Sequence, residues 1–296
     1  MSGAGMPMPS DIGIVDLMMG MPSPREELAR KYDFLKANFK DTESREEFEF
    51  PAEYMFKDVP RYDDVDDPVE FLLAEMDRFG IERSVINVAE KEDAQRALRE
   101  HPDRFLGSVY VSPTNGMESV RHLERGVHEQ GATSAQTFPA GLTPPVPIDD
   151  KRFYPVYAKL VELDIPLFMT VGVPGPRIPF SPQDAARLDE VCWFFPELKI
   201  IMRHGAEPWT ELAVKLMLKW PNLYYSTSAF APKHYPADII DYANTRGADK
   251  IMYAGYYPAG LSLDRIFAEL PNVGFRDHVW PKFLRENALR VFGLDD

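Results

Sequence analysis

The sequence predicts one (β/α)₈ barrel, and three observations carry that expectation. Short apolar, β-rich runs alternate with longer segments of helical period. Eight such runs can be counted, and a chain of 296 residues, 45% of them hydrophobic, has the length of a single barrel domain spanning 1–296. Parallel strands need crossover helices and are covered on both faces, so they read as nearly continuous apolar stretches.

The strands are expected, in order, at IGIVDLM (12–18), RSVINVA (83–89), FLGSVYV (105–111), TSAQTF (133–138), PLFMTVG (166–172), KIIMRH (199–204), LYYSTSA (223–229) and KIMYAG (250–255). Between them lie helical segments such as PVEFLLAEMDRFG, GMESVRHLERGVHEQG, RFYPVYAKLVELD, PQDAARLDEVCWFF and PWTELAVKLMLKW, whose apolar positions recur three and four apart. Gly80, Gly131 and Gly247 each follow a helical run, where a residue of positive φ ends a helix at least cost. The closing DHVWPKFLRENALRVFG is a helix expected on the outside of the barrel or across its floor. One connection breaks the rhythm: residues 21–67 separate the first strand from its helix, far beyond the usual two to six. Loops after strands lie on the catalytic face, so this insertion reads as a lid or a dimer arm, or as a surface elaboration without catalytic part. Its FEFPAEYMF stretch carries enough aromatics to be ordered.

Composition narrows the partner. Forty-seven acidic against 33 basic residues give a formal net charge of −14, which disfavours nucleic acid and anionic membrane, both bound by neutralising phosphates. No run has the length of an apolar membrane span, and MSGAGMPMPS has neither the positive start nor the apolar core of a secretion signal, so a cytoplasmic protein with a small-molecule substrate is expected. The single cysteine, Cys192 in VCWFF, reads as a buried, inert thiol. No glycine-rich phosphate loop supports a nucleotide cofactor.

KIIMRHGAEPW, NLYYSTSAFAPKHYP, TRGADKIMYAGYYP and FLRENALRVFGL, in that order and spacing, resemble the second half of the amidohydrolase-related family, a relative of which is aminocarboxymuconate semialdehyde decarboxylase. The resemblance is specific over residues 150–294 and weaker before them. It implies a barrel of the metal-dependent-hydrolase type, bond chemistry on small organic acids, and a homodimer. It also implies a metal held by an HxH pair on strand one, a histidine at the end of strand five and an aspartate at the end of strand eight. Here those positions read Met18 and Gly20, Val173, and Tyr256. A catalytic divalent metal needs about three ligands from His, Asp, Glu or Cys, so no metal and no other cofactor are expected. Met18 then becomes a soft wall for an apolar pocket.

His204, ending strand six, is where the family keeps a histidine that assists proton transfer, and near neutral pH a histidine can serve as acid or base. A histidine merely satisfied by hydrogen bonds is the alternative. Tyr256 could donate to a developing oxyanion or simply fill the emptied metal cavity. Arg177 or Lys233 would anchor an anionic group, with Gln136, Phe138, Val173, His234 and Tyr257 lining the crevice and Glu207 in the loop after strand six. Asp16 reads as a buried structural acid or an orienting partner of His204. The function expected is metal-independent hydrolysis, decarboxylation, isomerisation or ring opening of a small organic acid. Two alternatives stay open: a catalytically inactive barrel that binds a ligand, and a zinc enzyme drawing ligands from Asp16, His204 and His234.

Overall fold

Each expected run contains a strand: β1 (Ile14–Asp16), β2 (Ile81–Asn87), β3 (Phe105–Tyr110), β4 (Ala132–Thr137), β5 (Leu167–Thr170), β6 (Ile200–Arg203), β7 (Leu223–Ser226) and β8 (Ile251–Met252). They pair in chain order as one eight-stranded parallel sheet, a (β/α)₈ barrel. The computed structural model describes residues 8–24, 26–27, 30, 32–46, 53–55, 59–88 and 92–294. Helices Pro68–Arg78, Glu92–Glu100, Met117–Gln130, Tyr154–Glu162, Leu188–Phe194, Thr210–Lys219, Ala237–Thr245 and Leu263–Glu269 alternate with the strands. None of the described helices is long and apolar enough to cross a membrane.

Local chemistry sets the helix ends. Asp67 starts the Pro68–Arg78 helix because its Oδ1 accepts from the N–H groups of Val69 and Glu70, while Pro68 occupies a position whose N–H would be unpaired anyway. Gly80 and Gly131 take the expected left-handed backbone at φ 69° and 73°. Gly247 does not adopt positive φ. It is required instead by close approach, since a Cβ there would lie 2.3 Å from the Tyr242 ring.

Backbone and one carboxylate close the ring between β8 and β1. Leu17 N–H donates to Tyr253 O at 3.2 Å and Gly20 N–H to Tyr257 O at 2.9 Å. Asp16, buried, accepts through Oδ1 from Gly255 N–H at 2.9 Å and from Met18 N–H at 2.9 Å, tying the ends of both strands. The floor is apolar. Val15, Leu17, Val85, Leu106, Phe168, Ile201, Tyr224 and Met252 meet there, and Ala288, Leu289 and Val291 of the Asn287–Phe292 helix pack onto them. The closing helix therefore covers the floor, one of its two expected positions.

The described parts of the 21–67 insertion lie over strand ends. Asn38 Nδ2 donates to the Gly141 and Leu142 carbonyls at 3.3 Å, Tyr54 Oη donates to Gly175 O at 2.6 Å, and Leu35 and Phe39 are buried. Residues 48–52 and 56 of the FEFPAEYMF stretch lie outside the described residues, so the expectation of order there is not addressed.

Candidate active site

Side chains two residues apart on a strand share a face, so the strand positions beyond the floor residues define what lines the lumen next. Beyond Val85, Leu106, Phe168 and Ile201 come Asn87, Ser108, Thr170 and Arg203, and the apolar floor gives way to a polar layer. Arg203 is nearly fully buried. Its NH1 donates to Gln136 Oε1 at 2.7 Å and its Nε to Thr170 Oγ1 at 3.4 Å, so one guanidinium spans the ends of β4, β5 and β6. Tyr110, two residues past Ser108, and Ser108 itself both have buried hydroxyls without a hydrogen-bond partner among the described residues. Buried polar groups are almost always satisfied, so two orphaned hydroxyls on the lumen side of β3 suit a site that takes a polar guest.

His204 and Tyr256 stand at the mouth of this layer. Both are non-glycine residues on left-handed backbone, with φ 66° and 63°. Such conformations are costly and persist where the surroundings enforce them, commonly at functional sites. Their rings meet edge to face with centroids 5.3 Å apart. Ser228 Oγ accepts the His204 backbone N–H at 3.2 Å and lies 3.2 Å from Nδ1. A hydroxyl can donate to Nδ1 or accept from it, so Ser228 accommodates either tautomer. Burial, then the neighbouring Arg203 charge, hold the His204 pKa well below its usual value, so the ring is neutral at physiological pH. Desolvation thus favours the neutral form of His204, the form that can accept a proton. Burial raises Tyr256 and pushes Tyr110 up to about 12, keeping both phenols protonated donors.

Other expected residues fall elsewhere. Gln136 holds Arg203, and Phe138 packs over Gly141, where a Cβ would lie 2.3 Å from its ring. Met18 leans on the floor cluster. Val173 is 55% exposed; the strand-five end facing the lumen is Thr170, three residues earlier. Tyr257 turns away from the lumen and packs edge to face on Tyr62 at 5.8 Å. Arg177 does not anchor anything in the crevice. It pairs with Glu43 at 2.8 Å and Asp41 at 3.2 Å and stacks over Tyr54, clasping the insertion to the loop after β5. Lys233 reaches Glu269 at 3.6 Å, and His234 and Glu207 are exposed. The insertion, in turn, brings Phe34 to 6.3 Å from Tyr110 and sets Tyr32 close enough to Tyr256 to act on it electrostatically.

Among the described residues, the strand-end positions do not supply a ligand set for a divalent metal. Of the expected ligand positions, Met18 and Tyr256 carry no metal-binding group at their strand ends, Val173 is exposed beyond β5, and Gly20 has no side chain to offer. Asp16, His204 and His234 do not converge either. Asp16 sits in the seam, its Oδ2 near Tyr253 Oη and Ile266, and among the described residues no group of three or more His, Cys, Asp and Glu could hold a metal.

Comparison with known proteins decides the family: the amidohydrolase family model matches residues 22–294. This chain belongs to the amidohydrolase family. It is 29% identical over 184 residues to a 2-keto-4-carboxy-3-hexenedioate hydratase of Sphingobium sp. (strain NBRC 103272 / SYK-6), covering 50% of this chain and 53% of that protein. The chain thus spans about half the length of that curated relative. Among solved structures, an uncharacterised TIM-barrel protein from Bordetella bronchiseptica superposes with TM-score 0.69 at 22% identity, covering 95% of this chain and 99% of the other. A 5-carboxyvanillate decarboxylase from Novosphingobium aromaticivorans, complexed with manganese and 4-hydroxy-3-methoxy-5-nitrobenzoic acid, superposes with TM-score 0.66 at 18% identity, covering 99% of each chain. This amidohydrolase therefore shares its barrel with proteins of that description.

Proposed function

We propose that this protein is a lyase that adds or removes water or carbon dioxide on a small unsaturated or aromatic organic acid, and that it works without a divalent metal. The observation that carries the reading is the convergence of Arg203, His204 and Tyr256 at the top of the lumen, two of them on strained backbone, where the metal-ligand positions carry no ligand set. His204, held neutral, takes a proton from water or substrate, with Ser228 adjusting to either tautomer. Tyr256, held protonated, donates to the oxygen on which negative charge develops. One positioned proton-transfer group supplies about 10²- to 10⁴-fold, enough for a substrate already activated by conjugation and too little for an unactivated amide. The likeness to a hydratase and to a decarboxylase barrel supports lyase chemistry over hydrolysis.

In this reading the 21–67 insertion is a lid or a dimer arm, and the protein works as a cytoplasmic homodimer, both features carried over from the sequence expectation. The test is turnover of 2-keto-4-carboxy-3-hexenedioate and 5-carboxyvanillate with EDTA present, in the natural protein and in His204→Gln. Turnover that survives EDTA and falls about 10²-fold or more in the variant supports the reading. Ligand binding without turnover in either protein would leave an inactive ligand-binding barrel instead.

A further inference from the structure

We propose, building on the reading of the crevice as the site of a small organic acid, that Tyr110 is a ligand-binding group: its phenol donates to an oxygen of the bound acid, beside the Phe34 ring that covers the acid's carbon frame.

Strand geometry sets the phenol in place. β3 reads Phe-Leu-Gly-Ser-Val-Tyr, and Leu106, Ser108 and Tyr110 share one face, which begins in the floor cluster and ends at the crevice. The backbone of Tyr110 is held from two sides. It pairs in register with Gln136 of β4, and the His122 ring donates through Nε2 to the Tyr110 carbonyl at 3.0 Å. Part of the residue is exposed, yet its Oη is enclosed and makes no hydrogen bond among the described residues. Burial pushes the phenol up to about 12 against the opposing effects of the Arg203 charge and the Phe138 backbone N–H, so it stays protonated at physiological pH. An N–H can only give to the phenol oxygen, so whatever Phe138 contributes, the Tyr110 proton remains unspent. An enclosed donor without an acceptor is a cost to the empty protein, and an oxygen brought by a guest removes it. The Asp33–Asn38 turn of the insertion sets Phe34 against the Tyr110 ring, with centroids 6.3 Å apart, and leaves Phe34 46% exposed. Apolar surface is therefore available next to the donor. That pairing suits an oxygen carried on an unsaturated or aromatic frame, whereas a small inorganic anion would gain nothing from Phe34.

The experiment compares the natural protein with Tyr110→Phe, which deletes only the hydroxyl, and with Phe34→Ala. Thermal midpoints are read without ligand, and calorimetry reads the affinities for 5-carboxyvanillate and 2-keto-4-carboxy-3-hexenedioate. Tyr110→Phe should melt at the same temperature as the natural protein or higher, because the empty crevice loses no bond, while affinity for at least one of the acids falls about three- to tenfold. Phe34→Ala should weaken binding of the same acid. In tyrosine Cζ carbon NMR, the resonance that Tyr110→Phe lacks should move when that acid is added to the natural protein. A lower midpoint for Tyr110→Phe, or its failure to fold, would mean that the hydroxyl is already bonded in the empty protein and would overturn the proposal. Unchanged affinity in either variant, an unmoved Tyr110 resonance, or no binding of either acid to the natural protein would overturn it equally. Tyr110-dependent binding without any turnover would sink the proposed lyase and leave this inference standing; EDTA-resistant turnover with undiminished binding in Tyr110→Phe would do the reverse.

Discussion

Asp16→Asn should stabilise the protein at neutral and alkaline pH, and do so by a calculable amount. Asp16 is fully buried in the β1–β8 seam, and burial outweighs the backbone donations from Gly255 and Met18 and the proximity of Tyr253, raising its pKa from 3.8 to about 7. In the unfolded chain the carboxyl ionises near its ordinary value, so between these limits the folded state binds one proton more than the unfolded state. Stability then falls as pH rises, at about 1.4 kcal/mol per unit for one proton. Across pH 5 to 8 the integrated loss comes to about 2.5 kcal/mol, the slope flattening above the folded pKa. Asparagine keeps the acceptor that serves Gly255 and Met18, has no charge to bury, and directs an amide toward the orphaned Tyr253 hydroxyl. Urea unfolding of both proteins at pH 5 and pH 8 isolates the contribution, since every other titrating group is shared. The stability difference should move by about 2.5 kcal/mol in favour of Asp16→Asn from pH 5 to pH 8. A difference independent of pH would mean that the folded carboxylate ionises in its ordinary range, and the account of the seam would be wrong.

Other outcomes follow from the crevice and its cover. Tyr256→Phe removes the phenol donor while keeping the ring against His204, so kcat should fall about 10²-fold with KM little changed, as steady-state kinetics would read. Because His204 is held well below its usual pKa, activity should persist as pH drops through 6.5, and an NMR titration of its ring should find no protonation there; a kcat limb at 6.5 would contradict the desolvated placement. Arg177→Ala cuts the clasp to Asp41 and Glu43, and limited proteolysis within 21–67 should accelerate severalfold while the thermal midpoint barely moves, as expected for exposed ion pairs.

The barrel was legible because its signal is repeated: eight apolar runs separated by helical periods leave little freedom once parallel pairing is required. The site was legible only in part. His204 and Tyr256 could be read from strand-end position, since any strand's carboxyl end opens on the same crevice. Arg203, one residue before His204, was overlooked, although a charge inside an otherwise apolar, doubly covered strand was the available signal. Val173 stood in for Thr170 because strand ends read from sequence slip by several residues, and on a strand an odd slip also reverses the face. Arg177 misled for a different reason. Its partners, Asp41 and Glu43, lie more than a hundred residues earlier, in an insertion whose path over β4 and β5 no local pattern encodes.

The most direct test of the central claim, a crevice that works without a divalent metal, is elemental analysis of protein purified without chelator and without a metal-affinity tag, paired with turnover before and after EDTA. The account predicts less than about a tenth of a metal per chain and unchanged turnover, since a resident site of real affinity would survive purification. About one manganese or zinc per chain, lost together with activity on chelation, would contradict it.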